Sequence, residues 1–239
     1  MSEFRILHLS DTHIGNPKWE TDAADVLKPL LIDIAAEVRQ HGKPNLVIFS
    51  GDLVFGCEYG KPKSLKQQFN DAKDWLVKLA SAVQYEPESL PILFVPGNHD
   101  VNRDAATIPL RNYTDAIDPQ QVDDRLQLRD LSWKQLIERL EDWKDFAIAG
   151  KALPNLKWEE DWLCWHCVIE HDGKKIGIGG LNTSWASYRS SEQGKLWIGE
   201  RQAQHIWNAL ESADFKVVVT HHPITWMHPD ESATLSQKL

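Results

Sequence analysis

The chain is poor in the features that would place it in several broad classes. It has three cysteines in 239 residues, an odd and small number that excludes a framework of paired disulfides. No apolar run approaches the ~18 residues that a membrane span requires. The first residues, MSEFRILHLSD, carry neither a basic leader nor an apolar stretch behind one, so no signal peptide is expected and the cytoplasm is the expected compartment. Positive charge is scarce: 26 Lys and Arg stand against 35 Asp and Glu, a formal net charge of −9. An extensive surface for duplex DNA, which neutralises many phosphates at once, is therefore not expected. A small phosphate ester held through metal remains compatible, because the metal brings its own positive charge. No internal repeat or low-complexity segment is apparent.

What is present suffices for one substantial core. Apolar residues make up 42% of the chain and charged residues 26%, the balance of an ordinary globular domain. Tryptophan is abundant, with eleven residues. Trp133, Leu136, Ile137, Leu140 and Trp143 recur at helical spacing, which predicts a helix near 130–149 with its Trp residues packed in a core rather than stacked on bases. Cys164 and Cys167 form a C-x-x-C inside WLCWHCVIEHDGKKIGIGG, which reads as two strands around a His-Asp-Gly turn. An offset of three on a strand puts the thiols on opposite faces, so a shared metal is not expected there.

Three short apolar strands punctuate the first hundred residues: 4–9, 46–49 and 92–95. Helical patterns over 22–41 and 65–82 separate them, with Pro29 inside the first as either a start or a kink. This alternation predicts β-α-β units and a parallel sheet. Residues 101–160 break the pattern and read as a helical insertion covering the crevice. A further helix is expected at 199–212 and a late strand at FKVVVT.

The strands stop in chemically loaded residues: SDTH, SGD, PGNHD and, last, HHP. In open α/β sheets ligands bind at the carboxyl ends of strands, so these clusters should converge. In extended chain, residues two apart point the same way, which would let Asp11 and His13 chelate one ion. Asp52, alone after Gly51, is placed to bridge two ions, while Asn98 offers a carbonyl oxygen and His221 an imidazole. Carboxylate and imidazole without thiolate suit Mn, Fe or Zn. Each cluster alone has an ordinary reading as a turn or a buried polar pair; the four in this order are much more specific.

This order resembles the calcineurin-like metallophosphoesterase superfamily, whose pattern runs D-x-H, G-D, G-N-H-D/E, a later H and a final G-H-x-H. The resemblance spans Asp11 to Pro223 and implies a two-sheet α/β sandwich with helices on the outer faces. It implies two divalent metal ions, Mn favoured, and a hydroxide shared between them that attacks a phosphomonoester or phosphodiester, nucleotides included. By position, Asp11 and His13 would hold the first ion, Asp52 would bridge, and Asn98 and His221 would hold the second. His99 would act as the acid near the leaving group and Asp100 would orient it. His222 is the neighbouring candidate for substrate binding.

One departure stands out: the chain has no G-H-x-H, and after His222 only His228 remains. The expectation is one metallophosphoesterase domain over 1–239 that forms the front part of a longer protein with further C-terminal segments; His228 as a substitute ligand is the other route. A non-catalytic scaffold or effector module of a larger signalling protein is the competing reading. In GLNTSWASYRSSEQG, Asn182, Trp185, Tyr188 and Arg189 could line the crevice, Arg for phosphate and the aromatics for a base. A surface loop anchored by its aromatics is the alternative.

Overall fold

The structure is a computed structural model that describes residues 3–18, 21, 23–57, 63–118, 121–149, 153, 155–159 and 164–238. Strands β1 (Ile6–Leu9), β2 (Leu46–Phe49) and β3 (Ile92–Phe94) form a parallel sheet in the order β1-β2-β3. Helix α1 (Lys28–His41) links β1 to β2, and helix α2 (Leu65–Ala82) links β2 to β3, the β-α-β alternation expected from the sequence. Helix α2 starts at a reciprocal cap: Ser64 accepts the Gln67 N–H while the Gln67 side chain accepts the Ser64 N–H. The helix expected over 22–41 divides into a π-helical turn at Ala23–Leu27 and α1. Pro29 sits in the first turn of α1, the one place where its missing N–H and fixed φ cost nothing.

A second, mixed sheet runs β4 (Lys157–Trp158), β5 (Cys164–His171), β6 (Lys174–Leu181) and β7 (Phe215–Val219). The expected hairpin is β5–β6, closed at Asp172-Gly173. Alternation along each strand then builds the layers. Leu46 and Ile48 of β2 join Trp165, Cys167, Ile176 and Ile178 in a core between the two sheets. Their neighbours Val47 and Phe49 face the opposite way, onto α1 and α2. On the far side of the second sheet, helix α7 (Glu200–Ala209) lies so close that a Cβ on Gly179 would come 2.3 Å from Ile206 Cγ2. Leu181, Ile206 and Leu210 close that layer. Cys164 belongs to this outer layer and Cys167 to the inner one, opposite faces as the offset of three requires. Burial pushes the Cys167 thiol up to about 12.

Between β3 and β5 the chain forms helices α3 (Ile108–Asp115), α4 (Val122–Leu128), α5 (Leu131–Glu138) and α6 (Glu141–Ala149). The single helix expected near 130–149 is interrupted at Arg139. Its buried guanidinium donates to the carbonyls of Leu136, Trp185 and Ser187, and its own carbonyl accepts the Asn102 N–H. Trp133 and Trp143 are buried, as the helical spacing requires. Trp185 packs edge-on against Trp133 with centroids 5.2 Å apart, so it anchors its loop in the core and does not line a crevice. Among the described residues no helix is long and apolar enough to cross a membrane.

Candidate metal centre

The loops after β1, β2, β3 and β7 meet at one end of the first sheet. Those after β1 and β2 stay zipped beyond the strands: Asp11 N–H donates to Gly51 O at 3.0 Å, His13 to Asp52 O at 3.1 Å and Ile14 to Leu53 O at 2.9 Å. Asp11, His13 and Asp52 all take left-handed backbone conformations, with φ of 56°, 45° and 54°. Asp and His tolerate that region better than most residues, and non-glycine residues held there concentrate at functional sites. This corrects the reason for the D-x-H pairing. The two side chains do not meet because the chain is extended; a left-handed turn at each brings His13 Nε2 to 3.8 Å from Asp11 Oδ1.

Asp52 occupies the middle. Its Oδ2 lies 3.8 Å from His13 Nε2 and 3.5 Å from His221 Nε2, and its Oδ1 accepts the His99 N–H at 2.9 Å. Donor atoms of Asp11, Asp52 and His221 fall within 4.8 Å of one another, and so do those of His13, Asp52 and His99. Asp52 is common to both sets. The close approach requires glycine at 97, where a Cβ would stand 2.1 Å from Asp52 Oδ1.

The histidines are oriented from behind. His221 Nδ1 lies 2.8 Å from Ser50 O and His99 Nδ1 lies 2.6 Å from Phe55 O. A carbonyl can only accept, so Nδ1 carries a proton in each ring, and it is in the neutral ring that Nε2 offers a lone pair, the arrangement common behind metal-bound imidazoles. Asn98 Oδ1 stands 3.2 Å from Nε2 of both His221 and His222. His222 is buried and its Nδ1 pairs with Thr183 Oγ1 at 2.9 Å. Burial and the adjacent His221 push His222 down to about 3. For Asp52, burial acts upward, but the bond and charge of His221 outweigh it and hold the carboxyl down at about 2. His221 shows the converse: burial acts downward, yet Asp52 lifts it to about 9.

Among the described residues, Asp100 makes no hydrogen bond to the His99 ring. Its carboxylate is fully buried and accepts the N–H groups of Asp52 and Gly97 at 2.8 Å and of Val54 at 3.1 Å. It therefore ties the β2 and β3 loops together, and the group that orients His99 is the Phe55 carbonyl. Burial and the charge of Asp52 push Asp100 up to about 7, against the pull of the Gly97 and Val54 N–H groups and of His221. Asn182 is buried; its Oδ1 accepts the Ser184 N–H at 2.8 Å. Arg189 sits beside Tyr188 and pairs with Asp115. His228 stacks flat on Trp197 at 4.6 Å and lies in neither donor set.

Two groups that matter here carry no motif. Arg103 Nε donates to the Asn98 carbonyl at 2.9 Å, and Thr183 holds His222. The signals for them were faint: an arginine five residues beyond Asn98, and a hydroxyl two residues past the end of β6.

The converging oxygen and nitrogen donors, with no sulfur, fit hard or borderline divalent ions. The chain belongs to the calcineurin-like phosphoesterase family, whose sequence model matches residues 4–238. A metallophosphoesterase-like protein of Bacillus subtilis (strain 168), YydB, described as uncharacterized, is 20% identical over 238 residues, which cover 97% of this chain and 45% of that protein. The chain thus spans about half the length of the curated relative it matches.

Proposed function

We propose that this chain is a metal-dependent phosphoesterase that works with two divalent ions, Mn favoured, on a phosphomonoester or phosphodiester, nucleotides included. The observation that carries the reading is Asp52, one carboxylate shared by two sets of donor atoms at the ends of β1, β2, β3 and β7. By the family pattern Asp11 and His13 would hold one ion and Asn98 and His221 the other, with Asp52 between them; the two donor sets share Asp52 but group Asp11 with His221 and His13 with His99. Such ions, when bound, supply Lewis acidity toward the phosphoryl oxygens and an activated water. The chain's own residues do the rest. Phe55 O fixes the His99 ring so that its Nε2, once protonated, is the atom able to give a proton to a leaving oxygen. Asp100 keeps the loops that carry Asp52 and Asn98 in register.

The test is hydrolysis of bis(p-nitrophenyl) phosphate and p-nitrophenyl phosphate by the Mn-loaded chain and by Asp52→Asn. The variant keeps an oxygen that accepts the His99 N–H, so the fold should persist. Turnover should fall by more than about 100-fold, beyond what loss of a mere supporting contact costs. Equal turnover in variant and wild type would refute the shared role of Asp52. Absence of hydrolysis in the loaded wild type would favour a non-catalytic module.

A further inference from the structure

A chain with a net charge of −9 gathers three arginines, Arg103, Arg111 and Arg189, into one contact network beside the metal centre. The network begins at Arg103, which donates to Asn98 O and whose charge reaches His222. Its Nη2 stands 3.8 Å from Oε2 of the buried Glu192. Glu192 Oε1 in turn accepts the N–H groups of Tyr188 at 2.8 Å and Arg189 at 3.1 Å. The Tyr188 ring has the Arg189 guanidinium 4.2 Å and the Arg111 guanidinium 5.7 Å from its centroid. Asp115, on α3, accepts from both the Tyr188 hydroxyl and Arg189. Arg103 thus faces Glu192 and Arg189 pairs with Asp115, while Arg111 stands over the Tyr188 ring with no carboxylate partner of its own among the described residues.

Structural duty accounts for only part of this. Arg139 is committed to the fold, with each of its three nitrogens donating to a carbonyl. Arg111 is exposed and, among the described residues, donates from Nε alone, to the Ala106 carbonyl. Arg189 Nη1 is buried with no hydrogen-bond partner among the described residues, although its Nη2 is paired. A buried N–H left unpaired is costly, and a guanidinium fork matches the oxygens of a phosphate. A half-buried aromatic ring framed by two such forks offers both charge and a flat face.

We propose that Arg111 and Arg189, with Tyr188 between them and Arg103 linking them to Asn98, form a subsite for a second phosphate of the substrate, distinct from the phosphate that is hydrolysed. The inference rests on the phosphoesterase reading for its role, but its binding chemistry can be tested without it. Asp115 would be displaced in part from Arg189 when the anion enters. Substrates with two phosphate groups, such as nucleoside bisphosphates or diphosphates, would gain over simple monoesters.

The experiment is calorimetric titration of inorganic pyrophosphate into the metal-free chain, with EDTA present so that no ion can hold the anion. Wild type should bind. Arg111→Ala combined with Arg189→Ala should bind at least about tenfold more weakly, since charge-assisted contacts are the strong ones. Asp115→Asn should bind more tightly, because it releases the Arg189 fork; a purely structural network predicts no gain. Absence of pyrophosphate binding by wild type, unchanged affinity in the double variant, or weaker binding by Asp115→Asn would each overturn the subsite. The outcomes separate from those of the phosphoesterase reading: that reading fails on p-nitrophenyl ester hydrolysis, which the pyrophosphate titration does not involve.

Discussion

On one side of Asp52 the centre is open, and on the other it is closed. Asp11 and His13 leave 54% and 29% of their side chains exposed, whereas His221 leaves 10% and Asp52 itself 5%. The closed side is held by side-chain contacts: Ser50 O on His221, Thr183 on His222, and Asp100 on three loop N–H groups. The open side is held by its backbone, through left-handed turns at Asp11 and His13 and the zipped N–H bonds to Gly51 and Asp52. Side chains on the closed side should therefore matter to the fold as well as to metal, and those on the open side to metal alone.

The largest effect should come from Asp100→Ala. It strands three buried N–H groups, each costing about 1–3 kcal/mol when left unpaired. Urea unfolding should show a loss of about 3 kcal/mol or more; a loss below ~1 kcal/mol would mean the loops hold their register without it.

A second buried carboxylate outside the centre gives the comparison a control free of metal. Glu231, in α8 (Pro229–Lys238), accepts the N–H groups of Ile198 and Gly199, and burial pushes it up to about 7 from 4.5. The folded chain then keeps a proton that the unfolded chain has released between those values. The contribution is whole below pH 4.5 and is lost as pH rises through 7, about 3 kcal/mol in all. The stability difference between wild type and Glu231→Gln should accordingly shift by that order between pH 5 and pH 8. A difference constant with pH would show that Glu231 titrates normally.

His99→Ala divides the roles left open by the two donor sets. If His99 serves as the acid, turnover should fall about 10²–10⁴-fold with metal content intact; loss of metal would make it a ligand. The smallest effect on the fold should be that of Asp11→Asn, which tolerates the left-handed turn as Asp does, within about ±0.5 kcal/mol for an exposed side chain, together with clear loss of bound Mn. A large drop in stability would break the distinction between the two sides.

The strand ends were readable from the sequence because apolar runs stop abruptly at Asp11, Asp52, Asn98 and His221, and the parallel order of β1, β2 and β3 follows from the helices between them. The C-x-x-C was readable too, since strand period alone separates Cys164 from Cys167. What stayed hidden depends on contacts distant in sequence. Asp100 looks like a partner of its neighbour His99, yet it bonds to loops up to 48 residues away. Trp185 looks like a crevice residue until α5, which carries Trp133, is packed against it. The geometry of Asp11 and His13 was hidden for another reason: period-two reasoning assumes extended chain, and both residues are left-handed.

Elemental analysis of Mn per chain, after loading and desalting, tests the shared role of Asp52 most directly. Two ions in wild type and at most one in Asp52→Asn are expected, with the far-UV spectrum unchanged. The same metal content in both proteins would contradict a carboxylate common to two sites.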